Sequence, residues 1–142
     1  MQLLDHVSIG VPDIDAARRF YDAIMNVLGA AKVYDLAHAL GYGERCTPHD
    51  AASTYLAVHL ETGSVGGVAN NKRHWCFKAG SREQVDAFHA AGLAAGGRSD
   101  GAPGLRADYH AGYYAAFLHD PAGNRVEAVC HLLASSETSA RP

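Results

Sequence analysis

The chain has 142 residues, 48% of them apolar, and a formal net charge of −3. That length is one domain with enough chain for a substantial core, and no apolar run reaches the length needed to span a bilayer. Without a basic cluster, nucleic acid is excluded as the main partner, because phosphate contacts need dense Lys and Arg. The start, Met1-Gln2-Leu3-Leu4-Asp5-His6, lacks the basic and apolar stretches of a signal peptide. Three widely spaced cysteines, Cys46, Cys76 and Cys130, form neither a disulfide framework nor a zinc-ribbon spacing. The expectation is a cytoplasmic protein with no membrane partner.

Leu3–Val11 alternates as a strand, with Val7, Ile9 and Val11 on one face and Leu4, His6 and Ser8 on the other. Pro12-Asp13 breaks it, and Asp13 caps a helix with the apolar stripe Ile14, Ala17, Tyr21, Ile24 and Leu28, stopped by Gly29. Short strands are predicted near Lys32–Leu36 and Ala39–Tyr42, then a polar loop over Gly43–Ser53 that reads as a lid, then a strand over Thr54–Glu61. The glycine-rich Thr62–Asn71 reads as a linker between halves. Arg73–Lys78 is a further strand. Ser81 with Gln84 makes a capping box, opening a helix that buries Val85, Phe88 and Ala91 or Gly92 and frays at Gly96-Gly97. Ser99–Ala111 reads as irregular, which leaves one strand of the second half without a clear place near Gly97–Ser99. Tyr113–Leu118 and Arg125–His131 are strands joined by the turn residues Asp120-Pro121-Ala122-Gly123-Asn124. Ser135 onward is small and polar, a tail expected to be disordered. The pattern is strand, helix and three strands, twice, which predicts an α+β fold. It divides a single domain over 1–134 into module one (1–62) and module two (72–134).

The halves repeat at an offset of 68: His6 with His74, Asp13 with Ser81, Phe20 with Phe88, and His59 with Glu127. In four strands the faces carrying Val7/Ile9, Leu56/Val58, Trp75/Phe77 and Val126/Ala128 are apolar enough to pack under helices. His6, His59, His74 and Glu127 then project from the opposite faces. If those faces meet, two to four donors converge in a cup. Imidazole with carboxylate suits zinc, nickel, iron or manganese, and two histidines with one carboxylate make a facial triad with open positions. A lone strand histidine is ordinarily a hydrogen-bonded core or edge residue. A carboxylate between Val126 and Ala128 is harder to explain, since an unpaired buried charge costs several kcal/mol. Glu61 faces the same way as His59 and competes with it for the fourth position. Tyr109, His110 and Tyr114, in a run dense in hydroxyls, are candidates to bind a substrate oxygen or move a proton; the alternative is an aromatic strand with an exposed edge. Cys76 and Cys130 read as small core residues.

Leu4-Asp5-His6-Val7-Ser8-Ile9 with Phe20-Tyr21, the His74 strand, and Asp120-Pro121-Ala122-Gly123-Asn124-Arg125-Val126-Glu127 together resemble the vicinal oxygen chelate superfamily. Glyoxalase I, type I extradiol dioxygenases and bleomycin-resistance proteins belong to it. The resemblance runs from Leu3 to His131. It implies paired βαβββ modules in a curved, mostly antiparallel eight-stranded cup with helices outside, often in a homodimer. It places His6, His74 and Glu127 on metal-ligand positions. The fourth, usually glutamate in glyoxalase I, is matched here by His59. The function it implies is a metal-dependent enzyme of glyoxalase or dioxygenase type, whose divalent ion chelates two adjacent oxygens of a small-molecule substrate. Glu127 or His59 would shuttle the proton in an isomerase; His110 or Tyr114 would assist with protons in a dioxygenase. The alternative is a metal-free protein of bleomycin-resistance type that binds a drug or metabolite in the same cup.

Overall fold

The computed structural model describes residues 2–63 and 72–133. The expected tail over 135–142 and most of the glycine-rich linker lie outside the described residues. Module one runs β1 (His6–Val11), α1 (Ile14–Leu28), β2 (Lys32–Asp35), β3 (Ala39–Gly43) and β4 (Tyr55–Leu60). Module two runs β5 (Trp75–Lys78), α2 (Arg82–Ala94), β6 (Arg98–Leu105), β7 (Tyr114–His119) and β8 (Arg125–Cys130).

Both helices begin where side-chain oxygens satisfy otherwise unpaired backbone donors. Asp13 accepts from the Asp15 and Ala16 N–H groups, and Ser81 accepts from Gln84 N–H. The return half of the capping box is displaced by one residue, because the Gln84 side chain takes Gly80 N–H at 2.6 Å. Gly29, in the left-handed region at φ 75°, ends α1. The repeat is visible in the packing, where Phe20 and Phe88 are both fully buried at equivalent turns of the two helices.

Each module folds into its own four-stranded mixed sheet, in the orders β1-β4-β3-β2 and β5-β8-β7-β6. The β1–β4 and β5–β8 pairs are parallel, and the other pairs are antiparallel. The fold is α+β, with two βαβββ modules as expected. The helices pack on each other and each lies on its own sheet, so one apolar core is shared by Ile9, Ile24, Val58, Phe88, Leu118 and Val126. Gly92 permits that approach: a Cβ there would lie 2.3 Å from Leu118 Cδ1 and 3.3 Å from Ile24 and Phe20. No helix among the described residues is long and apolar enough to cross a membrane.

The strand missing from the sequence pattern is β6, in the stretch expected to be irregular. Its Gly101, Pro103 and Gly104 argue against a central strand, but β6 is an edge, where such residues and their bulges are tolerated. The register slips twice, between Ser99 and Gly101 and again before Gly104.

Candidate functional site

Glu127 sits in the middle of β8, flanked by Cys76 on β5 and Phe117 on β7, on the face turned away from the helices. It is 2% exposed. A carboxylate buried to that degree needs partners: Tyr113 Oη donates to Oε1 at 2.5 Å, and His74 Nε2 lies 2.9 Å from Oε2. His74 Nδ1 lies 3.0 Å from the Lys72 carbonyl oxygen. A carbonyl only accepts, so Nδ1 carries a hydrogen, and in the neutral ring Nε2 then presents a lone pair to the Glu127 oxygen. Two lone pairs at 2.9 Å require a positive centre. A proton on Nε2 satisfies them, and so does a cation held by both groups. A histidine that donates Nδ1–H to a backbone carbonyl and offers Nε2 is in the usual pose of a metal ligand. Desolvation and the Glu127 charge push the Cys76 thiol up to about 12, and desolvation with the Glu127 hydrogen bond raises the Tyr113 hydroxyl above its ordinary range.

His6 is in the same pose on module one. Its Nδ1 lies 2.7 Å from Asp5 Oδ2, a bond that also holds Asp5 below the ordinary carboxylate range, so Nε2 is left for a ligand. The ring stacks on Tyr55, with centroids 5.1 Å apart. His59 is not brought to it. His6 pairs with Tyr55 and His59 with Gly10, which separates the two histidines by about 13 Å along the strands. The reason is a two-residue slip in the repeat. Ser8 and Cys76 are 68 apart, but their partners are Ala57 and Glu127, which are 70 apart. Ala57 therefore stands where Glu127 stands in module two. A slip of two preserves the face, so His59 projects from the expected side at the wrong height. Glu61 is farther along still, its carboxylate lying over Gly10.

Of the other candidates, Tyr109 and His110 gather around Tyr113, at ring separations of 4.8 and 5.4 Å. Tyr114 points the other way, with Oη donating to Asp86 on α2 at 2.6 Å and Arg82 against its ring. Tyr113, not Tyr114, is the tyrosine beside Tyr109 and His110. His131, missed altogether, lies 2.8 Å (Nδ1) from His110 Nε2. Alternation was the available signal for both: Tyr113 shares parity with Phe117, and His131 with Glu127. Among the described residues of one chain, no three His, Cys, Asp or Glu side chains are placed to hold a metal ion. His74 and Glu127 meet, whereas His6 lies on the other sheet.

The chain matches the family model described as Glyoxalase/Bleomycin resistance protein/Dioxygenase superfamily over residues 3–128. No curated protein matches it. Among solved structures, it is similar to a glyoxalase/bleomycin resistance protein from Albidiferax ferrireducens T118, with 31% identity, 89% of this chain and 97% of that one covered, and a TM-score of 0.73. A family enzyme from Burkholderia phytofirmans PsJN shares the fold at 22% identity, 90% and 98% coverage and a TM-score of 0.62. So does a fosfomycin resistance protein from Listeria monocytogenes complexed with Mn(II), at 16% identity, 94% and 93% coverage and a TM-score of 0.63. With the family model covering nearly the whole chain, this protein belongs to the glyoxalase/bleomycin resistance protein/dioxygenase superfamily.

Proposed function

We propose that this protein is a metal-dependent enzyme of glyoxalase or dioxygenase type, acting on a small substrate with vicinal oxygens, with a site completed across a homodimer. The observation that carries the reading is the His74–Glu127 pair. A buried carboxylate facing an imidazole nitrogen whose other nitrogen is tied to a carbonyl fits a divalent cation. One chain supplies two donors on one sheet and His6, in a matching pose, on another. β1 and β5 are both sheet edges. Pairing β1 of one protomer beside β5 of the next would bring His6 to His74 and Glu127 and close the two sheets into an eight-stranded cup. Two histidines and one carboxylate leave coordination positions for a chelating substrate.

Zinc, nickel, iron or manganese suits these donors, and any of them would polarise a bound carbonyl or enolate oxygen. The chain's own residues supply the rest. Tyr113 holds Glu127 Oε1, which leaves Oε2 toward His74 and fixes the carboxylate's orientation. We infer that Glu127 is the group that accepts a substrate proton in an isomerase reaction. Tyr109 and His110, gathered at Tyr113, are proposed to contact the substrate. Tyr114 is tied to α2, and His59 sits too far along its strand to join His6 at one ion.

The test is elemental analysis of tag-free protein, purified without chelator, for wild type, His6→Ala, Glu127→Ala and a co-expressed mixture of the two variants. The expected result is about one metal per chain in wild type, none in either variant, and recovery in the mixed dimer, where one of the two sites is intact. Failure of the mixture to recover would sink the shared site. A wild type that takes up no ion after loading with each candidate would favour the second reading. In that case the protein is a metal-free binder of a drug or metabolite, with a proton on His74 supplying the positive centre.

A further inference from the structure

Phe117, next to Glu127 on the same face, carries two cations. The Arg125 guanidinium carbon lies 4.2 Å from the ring centroid and that of Arg106 lies 5.7 Å away, with the His74 ring edge-on at 5.8 Å. Arg125 is committed: its Nε donates to Asp100, which also takes His119 Nε2 at 3.3 Å. Arg106 is not. Its Nη2 donates to the Ala102 carbonyl at 2.9 Å, and among the described residues no acidic side chain pairs with it.

The seat under Arg106 is built into β6. A Cβ at Gly101 or at Gly104 would lie 3.2 Å from one of its terminal nitrogens, so larger residues there would crowd the guanidinium. Two glycines in one strand weaken it, and here they leave room for a cation over an aromatic ring beside a buried carboxylate. A guanidinium beside a ring, with one terminal nitrogen on a backbone carbonyl, still has N–H groups to offer an oxyanion, and its planar fork suits a bidentate one. Glu127 alone would repel an anionic substrate, and a cation on the same face would offset that repulsion.

We propose that Arg106 is an oxyanion subsite, binding the carboxylate or phosphate end of an anionic substrate whose other end addresses the His74–Glu127 pair. This rests on the reading of that face as the active site, but it is tested without metal or turnover. Metal-free protein is titrated with benzoate and, separately, with inorganic phosphate. The Arg106 Nε–Hε resonance is followed by NMR, assigned by its loss in Arg106→Lys. Benzamide, isosteric and neutral, is the control.

Saturable shifts with at least one anion and none with benzamide are expected, and the preferred anion distinguishes a planar from a tetrahedral group. Affinity followed on the backbone amides of Phe117 and Gly104 should fall at least tenfold in Arg106→Gln and by less in Arg106→Lys, which keeps the charge without the fork. Equal affinity in wild type and Arg106→Gln, or no anion-specific shift in wild type, overturns the subsite. Should Arg106→Gln fail to fold, Arg106→Lys carries the comparison. Metal uptake by Arg106→Gln should match wild type, so failure of the metal site and failure of the subsite read out separately.

Discussion

The two modules share a topology, but their faces away from the helices are built differently. On module two, Phe117 and Glu127 lie under Arg106, Arg125, His74 and Tyr113, and Phe117 is only 8% exposed. On module one, His6 stands half exposed on Tyr55, Ala57 occupies the position of Glu127, and His59 and Glu61 lie in solvent beyond it. One face carries a polar cluster around a buried carboxylate; the other carries two exposed imidazoles, about 13 Å apart along the strands, and, among the described residues, no buried carboxylate. A duplicated fold thus keeps its apolar side under common constraint, because both modules share one core, while the outer faces diverge.

The comparison is broken most severely at Glu127. Glu127→Ala should abolish stoichiometric metal and, by leaving Tyr113 and His74 unpaired, cost about 1–3 kcal/mol of stability; elemental analysis and denaturant unfolding read the two effects. The contrast within module one is sharper still. His6→Ala should lose the metal, whereas His59→Ala, about 13 Å away along the strands, should leave metal content unchanged. The reverse outcome would overturn His6 as the module-one donor.

Gly92→Ala addresses what the modules share. A methyl group 2.3 Å from Leu118 Cδ1 cannot be accommodated without moving the helices, and overpacking of this kind costs about 1–3 kcal/mol. The thermal midpoint should fall without loss of metal binding.

The smallest effect is the contribution of Asp100, at the rim of module two, to the pH dependence of stability. The Arg125 hydrogen bond holds Asp100 below the ordinary carboxylate range. A depressed folded pKa gives stability that is fully present above the unfolded value near pH 4 and is lost as pH falls through the folded one. Asp100→Asn should flatten the acid limb of the stability profile slightly and leave it unchanged near neutrality.

Much of this was legible in local chemistry. Asp13 and Ser81 as caps, Gly29 as a stop, and the buried Ile14, Ala17, Tyr21, Ile24 and Phe88 all follow from short-range rules, because cap geometry and helical periodicity act within a few residues. The face of each site strand was equally readable, since alternation depends only on parity. The β6 strand was not, because its Gly-Ala-Pro-Gly composition is compatible with a strand only at an edge, and edges exist only once a sheet is assembled. Nor was the height of His59 on its face: alternation carries no register, and the hydrogen-bonded pairing of Ser8 with Ala57 alone moved the equivalent of Glu127 by two residues.

The sequence by itself therefore determined the module pattern, the superfamily and the sides from which His6, His74 and Glu127 project, because periodicity and caps are properties of consecutive residues. Tertiary structure decided which of them meet. Pairing between β5, β7 and β8 brings His74, Tyr113 and Glu127 within hydrogen-bonding reach, and the packing of α1 on α2 leaves His6 on a separate sheet. Register and helix packing join residues distant in the chain, and no local pattern encodes them.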